Sequence, residues 1–227
     1  MNRDGNMWAY DCTFIGNESD GGTNYLGQQG MGSGGAIKNT KGSMVLDGCT
    51  IANNKARKKG GAIKNSCLGT LTMMNCTVTG NSCASGGIHL NGPALIDHCT
   101  IALNTAPYSL GAGILINSES IIRNTIVYGN TRGDVVVDWE DNGHLAQFIN
   151  LWIGDGRTEI GTFAGDPLLS PFGDYGGATW TFLLQAESGA IDAAIVSDSS
   201  PLVDQRGFPR ACGAGPDIGA IEIEPTD

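Results

Sequence analysis

Residues 60–81 read GGAIKNSCLGTLTMMNCTVTGN, and both ends of this stretch recur along the chain about every 25 residues. The opening Gly-Gly-x-Ile tract and its variants place an isoleucine at spacings of 26, 25 and 26 residues, at Ile37, Ile63, Ile88 and Ile114. The closing tract, Cys-Thr-apolar-x-x-Asn, repeats its cysteine at Cys12, Cys49, Cys76 and Cys99. Its asparagine repeats at Asn17, Asn54, Asn81 and Asn104. A repeat of this length indicates a solenoid, in which each copy buries its apolar face against the next.

The runs inside each repeat predict short strands. Met44-Val45-Leu46 and Leu71-Thr72-Met73 are apolar or β-branched, are bounded by Gly or Asn, and show no helical period of 3.6 residues. Such strands can wind as a coil whose like positions stack about 4.8 Å apart. The expected fold class is therefore all-β, a parallel β-helix (β-solenoid) with about 25 residues per coil. A leucine-rich repeat is the alternative, but its Leu-x-x-Leu-x-Leu signature is missing.

Each repeated position has its own expected task in the coil. The repeated isoleucines should point inward as one ladder. A second inward ladder is expected to contain Phe14, Ile51, Val78, Ile101 and Ile126. The asparagine column, which Asn130 continues, should lie at a corner where asparagine tolerates left-handed backbone and bonds along the stack. The paired glycines should supply a second corner with positive φ. A threonine column also recurs at Thr13, Thr50, Thr77, Thr100 and Thr125.

The stacked cysteines are expected to be buried thiols with at most one disulfide. Neighbours in the column fall within the Cα distance that a disulfide allows, but their Cβ vectors run parallel. Cys67, Cys83 and Cys212 lie off the column, and an odd total of seven leaves at least one thiol unpaired.

Signals for a metal or cofactor are weak, and no cofactor is expected. The chain has no Cys-x-x-Cys, and His89, His98 and His144 are not clustered. The neighbourhoods of Asp155-Gly156 and Asp217 could hold Ca²⁺, although solvated acidic turns are the simpler interpretation.

Length and charge restrict the function classes. A chain of 227 residues can bury a substantial core as one domain. It has no apolar window long enough to span a membrane, and its first residues lack an export signal. The net charge of −10 disfavours nucleic acid as a partner. Residues 1–132 carry net +3 and residues 133–227 net −13, which indicates a boundary near residue 132.

Two segments follow from that boundary. Residues 1–132 should hold the repeats, with an incomplete first coil and a Gly-rich insertion at 20–33. Residues 133–227 should add strands that prolong the stack or pack on it, including Val135–Val137 and Thr179–Leu183.

Residues 8–132 resemble the right-handed parallel β-helix repeats of exported bacterial surface proteins. Five later motifs resemble, in order, the closing motifs of the choice-of-anchor Q domain. These motifs are DPLLSP (166–171), YGGATWT (175–181), SGAIDA (188–193), DQRGFPR (204–210) and DIGAIE (217–222). Members of that family are typically large secreted or wall-linked proteins. The resemblance therefore implies a right-handed helix, a β-rich C-terminal segment of that type and an extracellular or cell-surface location, without a general chemistry.

One repeated column could carry catalysis. Asp47, Met74, Asp97 and Arg123 stand two residues before each cysteine or its equivalent. A polysaccharide lyase would need a carboxylate cluster with a basic residue beside it, and a hydrolase would need two carboxylates about 5–10 Å apart. The Met74 rung separates the two aspartates, so a surface ion pair between Asp97 and Arg123 is the favoured interpretation.

The basic run Lys55-Ala56-Arg57-Lys58-Lys59 is the remaining candidate site. It is either a solvated loop or a docking patch formed by Lys55, Arg57, Lys58 and Lys59 for an acidic glycan or protein. The favoured function is a non-catalytic structural or adhesive protein of the bacterial cell surface, with no catalytic residues. The alternative is a carbohydrate-binding, lyase-like or hydrolase-like β-helix. The open first coil and the opposite charges of the two segments also predict head-to-tail stacking of copies into a filament.

Overall fold

The computed structural model describes residues 1–23, 25–108, 111–137, 146–154, 162–210 and 212–224. Within these ranges the chain is all-β and forms a parallel β-solenoid of about four turns with about 26 residues per coil. The expected fold class is confirmed. Those ranges contain no helix long and apolar enough to cross a membrane.

The strands are short except for two that cross a whole side of the coil. In chain order they are β1 Met7–Tyr10, β2 Thr13–Ile15, β3 Glu18–Ser19, β4 Ile37–Asp47, β5 Thr50–Ala52, β6 Lys55–Ala56, β7 Ile63–Met74, β8 Thr77–Thr79, β9 Ile88–Leu90, β10 Ala94–Asp97, β11 Thr100–Ala102, β12 Ile114–Ile116, β13 Ser120–Arg123, β14 Ile126–Tyr128, β15 Val135–Val137, β16 Ala146–Ile149, β17 Leu151–Ile153 and β18 Thr162–Ala164.

Like strands of successive coils pair in parallel and build three sheets. Sheet A has nine strands. Its two long strands, β4 and β7, pair with each other along both of their halves. In later coils the same path is divided in two, as β9 and β10 or β12 and β13. Sheet B runs from β2 to β18 in seven strands, and β3 with β6 forms sheet C. The stacked strands continue past residue 132 as far as Ala164.

The inward isoleucine ladder is confirmed. Ile63 pairs with Ile37 on one side and Ile88 on the other, and Ile114 continues the column to Val135. All of these side chains are buried in one apolar core.

The prediction of the second ladder is wrong by one residue at its last position. Thr100 pairs with Ile126 and Ile101 pairs with Val127, so Val127 is the inward residue and Ile126 faces outward. Thr125 correspondingly takes the position expected of the next cysteine, not a place in the threonine column. Cys99 stands five residues before the corner asparagine Asn104, and Thr125 stands five residues before Asn130. Counting back from the asparagine therefore identifies Thr125 as the equivalent of Cys99.

All seven cysteines are free thiols. Cys49, Cys76 and Cys99 are buried, and each thiol donates to the carbonyl two residues before it, with Sγ···O distances of 3.3, 3.0 and 3.3 Å. The Thr125 hydroxyl makes the same bond, 2.7 Å to the carbonyl of Arg123. The side chains of this column are therefore small and donate a hydrogen bond to the backbone of their own turn. Both a thiol and a hydroxyl can make this bond.

The asparagine column forms a continuous ladder of amides. The Nδ2 of each residue donates to the Oδ1 of the next at 2.8–2.9 Å, from Asn17 through Asn54, Asn81 and Asn104 to Asn130. Left-handed backbone was expected at the asparagine, but it belongs to the residue before it, as at Asn53 (φ 55°) and Leu103 (φ 60°). The first glycine of the pair has positive φ as expected, for example Gly34 and Gly60.

The segment 165–224 contains no regular strand in its described part. Three isolated antiparallel bridges hold it, at Leu169 with Leu184, Gly173 with Thr181 and Val203 with Pro209. The strand expected over Thr179–Leu183 is therefore wrong, whereas the one expected at Val135–Val137 is present as β15. We call residues 165–224 the C-terminal segment, and it packs against the outer face of sheet B.

Candidate functional site

The column of Asp47, Met74, Asp97 and Arg123 stacks as expected from the repeats. The Nη2 and Nε atoms of Arg123 lie 2.8 and 2.9 Å from Oδ2 of Asp97. The Nδ1 atom of His98 lies 2.8 Å from the other oxygen, Oδ1. The expected ion pair is present, but the Asp97 side chain is 0 % exposed, so the pair is not a surface feature.

The electrostatics of this pair oppose acid–base catalysis. Burial alone would raise the pKa of Asp97, but the bonds and charges of His98 and Arg123 outweigh it and lower that pKa. Burial lowers the pKa of His98, so its ring is neutral at pH 7. Asp97 is therefore a fixed carboxylate with both oxygens occupied. A general acid or base must exchange its proton with a substrate, and this carboxyl has no access to one.

The threonine column is covered by the C-terminal segment. Gln205 lies across it, and its Nε2 donates to Oγ1 of Thr50 at 3.0 Å. Its Oε1 accepts from Oγ1 of Thr77 at 2.6 Å. One coil further on, Oγ1 of Thr100 accepts from the backbone N–H of Ala220 at 3.1 Å. These three hydroxyls are buried, whereas Thr13 at the end of the column is exposed and lines a small cavity of about 210 Å³ with Thr50 and Trp180.

Gly219 lets the C-terminal segment come this close to sheet B. Its φ is 112°, and an added Cβ would lie 2.9 Å from Cδ1 of Ile126 and 3.1 Å from Oγ1 of Thr100. Ile126, which the register turns outward, forms a second apolar cluster with Trp152, Leu184 and Ile218.

Charged residues of the DQRGFPR and DIGAIE motifs are buried within the C-terminal segment. Oδ2 of Asp204 accepts from Arg206 Nη2 at 2.8 Å and from the backbone of Glu222 at 3.0 Å. Arg210 donates from Nη2 to Oδ1 of Asn75 at 2.8 Å, which ties the segment to the coils. These motif residues therefore hold the segment together and attach it.

The outer face of sheet A is open, in contrast to sheet B. Its central outward column, which we call the outer stripe, consists of residues paired in register across six strands: Trp8, Val45, Thr72, Leu95, Ile121 and Gln147. Trp8 and Tyr10 point outward from β1 and are each 59 % exposed. A groove of about 500 Å³ is lined by the last four residues of the stripe, from Thr72 to Gln147, and by Thr70 and Glu119. An open groove with apolar and hydroxyl groups is the surface best suited to a ligand.

The basic run is less free than the sequence indicates. Lys55 pairs with Glu18 at 2.9 Å, and Nη1 of Arg57 donates to the carbonyl of Gly30 at 3.1 Å. Nζ of Lys58 lies 3.1 Å from Sδ of Met31. Lys38 and Lys64 stand opposite each other on the outer face of sheet A, and neither was predicted from the sequence as a site residue. Their spacing of 26 residues, one full repeat, was the signal that could have identified them.

The two places considered for Ca²⁺ differ in what the structure describes. Asp155-Gly156 and His144 lie outside the described residues. Asp217 is buried and accepts backbone N–H groups of Asp192 and Ile223 at 2.8 and 2.7 Å. Among the described residues, no three His, Cys, Asp or Glu side chains come together as a metal site.

Comparison with known proteins adds no identification. No family model matches the sequence. No curated protein matches it either.

Proposed function

We propose that this chain is a non-catalytic structural or adhesive module of the bacterial cell surface. The observation that carries the proposal is the contrast between its two sheet faces. The face with the threonine column is covered, whereas the outer stripe is open and presents Trp8. The resemblance of the five C-terminal motifs to the choice-of-anchor Q domain supports an extracellular location and attachment to a larger surface structure.

The adhesive part of the proposal assigns the outer stripe as the contact surface and a cell-surface glycan as its partner. An exposed Trp at one end of the stripe offers a large, rigid and partly apolar contact area, and the groove further along the stripe adds hydroxyl and amide groups. Immobilised cell-wall polysaccharides and their fragments are suitable probes. We expect Trp8→Ala to weaken retention at least about tenfold, the loss expected for removal of a central aromatic contact.

Trp180→Ala is the matched control. Trp180 is 53 % exposed but belongs to the C-terminal segment, away from the outer stripe. Equal retention of wild type and Trp8→Ala, or an equal loss in Trp180→Ala, would remove the stripe as the adhesive surface.

The alternative, a polysaccharide lyase or hydrolase, has one candidate pair of residues, Asp97 and Arg123. The burial of Asp97 supports the non-catalytic proposal. Acidic and neutral polysaccharides should be incubated with the protein and tested for new unsaturated or reducing ends. Product formed by wild type and lost in Asp97→Asn would show that the module is an enzyme.

A second partner, another copy of the chain, is favoured by the first coil. Its inward side chains Met7, Cys12 and Phe14 are only partly buried, and such an end can accept a further coil, whichever chain supplies it. If copies stack, light scattering should rise with concentration and negative-stain images should show filaments. Screening of charge should make high salt slow their growth. Monomers alone at high concentration and low salt would exclude stacking of this chain.

A further inference from the structure

Two lysines face each other on the outer face of the first half of sheet A. Lys38 pairs with Lys64, and His89 follows Lys64 in the same outward column, because their neighbours Ile37, Ile63 and Ile88 point inward. Lys59 acts electrostatically on both Lys64 and His89. Like charges that face each other across two strands destabilise a sheet, so this arrangement needs a compensating group.

The chain itself does not supply that group in its described part. Lys41 and Lys55 have carboxylates at 3.5 and 2.9 Å, but Lys38, Lys59 and Lys64 make no ion pair among the described residues. Burial and the charges of Lys59 and Lys38 lower the pKa of Lys64 to about 8. Nζ of Lys64 donates to the amide oxygen of Asn91, which is uncharged.

His89 gives an independent indication of a missing partner. Its side chain is fully buried, and neither Nδ1 nor Nε2 makes a hydrogen bond of good geometry among the described residues, although the Asn91 side chain and the Ser85 backbone lie near the ring and act to raise its pKa. Burial and the neighbouring Lys64 and Lys59 lower its pKa to about 3, so the ring is neutral with one N–H to donate. Buried polar groups without a partner are rare and call for an explanation.

We propose that Lys38, Lys59 and Lys64, with His89 behind them, bind an oxyanion group, a sulfate or phosphate, either free or carried on an acidic polysaccharide. Such a group has several acceptor oxygens and a negative charge. It would supply charge-assisted hydrogen bonds to the lysines. The site lies on a different part of sheet A from the outer stripe and does not depend on the proposed adhesive function.

Sodium sulfate and sodium phosphate are the first probes, titrated against sodium chloride at equal ionic strength. The measured quantities are the dissociation constant and the pKa of Lys64, read by NMR of the labelled lysine side chains. We expect a bound oxyanion to raise the pKa of Lys64 from about 8 towards its ordinary value, because it stabilises the ammonium form. Lys64→Gln should weaken binding at least tenfold, the loss of one charge-assisted hydrogen bond.

Lys41→Gln is the matched control. Lys41 lies on β4, the strand of Lys38, and carries the same charge, but it already pairs with Asp4. Its removal should leave the dissociation constant within twofold. Lys38→Gln gives the same test if Lys64→Gln fails to fold, which circular dichroism would reveal.

A sulfated oligosaccharide and its desulfated counterpart distinguish the two sources of the group. Tighter binding of the sulfated chain than of free sulfate assigns the site to a polysaccharide, and equal binding assigns it to the free ion. The proposal is overturned if neither ion moves the Lys64 resonance beyond the chloride control. It is equally overturned if Lys41→Gln weakens binding as much as Lys64→Gln.

Discussion

The stacked coils and the C-terminal segment are stabilised in different ways. In the coils, each contact recurs with the same residue type one turn further on, as in the amides that link Asn54, Asn81 and Asn104. In the C-terminal segment, each contact occurs once and involves a different residue, such as Gln205 on Thr77 or Arg210 on Asn75. Repetition spreads stability over many equivalent contacts, whereas the segment depends on a few.

The two regions also differ in the chemistry of what they bury. The coils bury mainly aliphatic ladders and neutral amides, and Asp97 with its partner Arg123 is a charged exception. The C-terminal segment buries charges, among them Asp204, Asp217 and Glu222. A buried charge that loses its partner is far more costly than a lost methyl group. We therefore expect damage to the coils to unfold the whole chain and damage to the segment to detach it from coils that stay folded.

The largest effect is expected in the core of the coils. Ile101→Asp would place an unpaired charge in the inner ladder of sheet B, at a cost of about 5 kcal/mol or more, comparable to the whole stability of a domain. Thermal denaturation followed by circular dichroism should show no cooperative transition. Leu103→Asp is the control, because Leu103 is 51 % exposed in the same coil. Wild-type thermal stability in Ile101→Asp would contradict the register of the ladder.

The next effect concerns attachment of the C-terminal segment. Arg210→Met leaves Glu222 and Asp217 without their nearest cation and breaks the bond to Asn75, at a cost of about 3–5 kcal/mol. Limited proteolysis should then cleave within residues 165–224 while the coils resist. Arg132→Met, at an exposed arginine, should behave as wild type. Simultaneous loss of coils and segment would show that the two regions fold as one unit.

The same difference explains what the sequence could predict. Ladders are visible in a sequence because period and position are enough to align them, and Ile63 and Asn81 were placed correctly. The error at Ile126, where Val127 is the inward residue, came from placing Thr125 in the threonine column when it fills the position of the next cysteine. The contact of Gln205 with Thr77 joins residues 128 apart and occurs once, so no period reveals it.

The candidate sites follow the same rule. The pairing of Asp97 with Arg123 could be read from the repeats, because both stand in one column. The burial of Asp97 could not, because it depends on His98 beside it and on where the C-terminal segment lies. The repeat length was enough to predict that Lys38 and Lys64 lie next to each other. The basic run Lys55–Lys59 was chosen as the candidate site instead, because its charges lie close together in the sequence.

A smaller effect distinguishes positions within the asparagine ladder. Asn81 is fully buried, donates to Asn104 and to the carbonyl of Ile51, and accepts from Asn54. Asn81→Ala should cost about 2–3 kcal/mol, because it leaves buried partners unsatisfied. Asn17→Ala should cost under about 1 kcal/mol, since Asn17 is exposed at the end of the ladder. Urea denaturation measures both, and equal costs would mean that position along the stack does not matter.

The last effect is a pH dependence of opposite sign in the two regions, and it is close to zero at pH 7. In the coils, His89 has a folded pKa of about 3, below the ordinary 6.5. The unfolded chain therefore takes up that proton first, and the coils lose stability as the pH falls from about 6.5 towards 3.

In the C-terminal segment, burial raises the pKa of Asp217 from 3.8 to about 6. The folded segment therefore takes up this proton first, and its attachment strengthens by about 1 kcal/mol as the pH falls from about 6 to 4. Proteolysis rates of the segment at pH 7 and 4.5, each with an acid-tolerant protease standardised on an unfolded substrate, measure the change. Asp217→Asn should abolish the strengthening, because asparagine does not titrate, while the acid sensitivity of the coils stays. An unchanged pH profile in Asp217→Asn would assign the strengthening to another group of the segment.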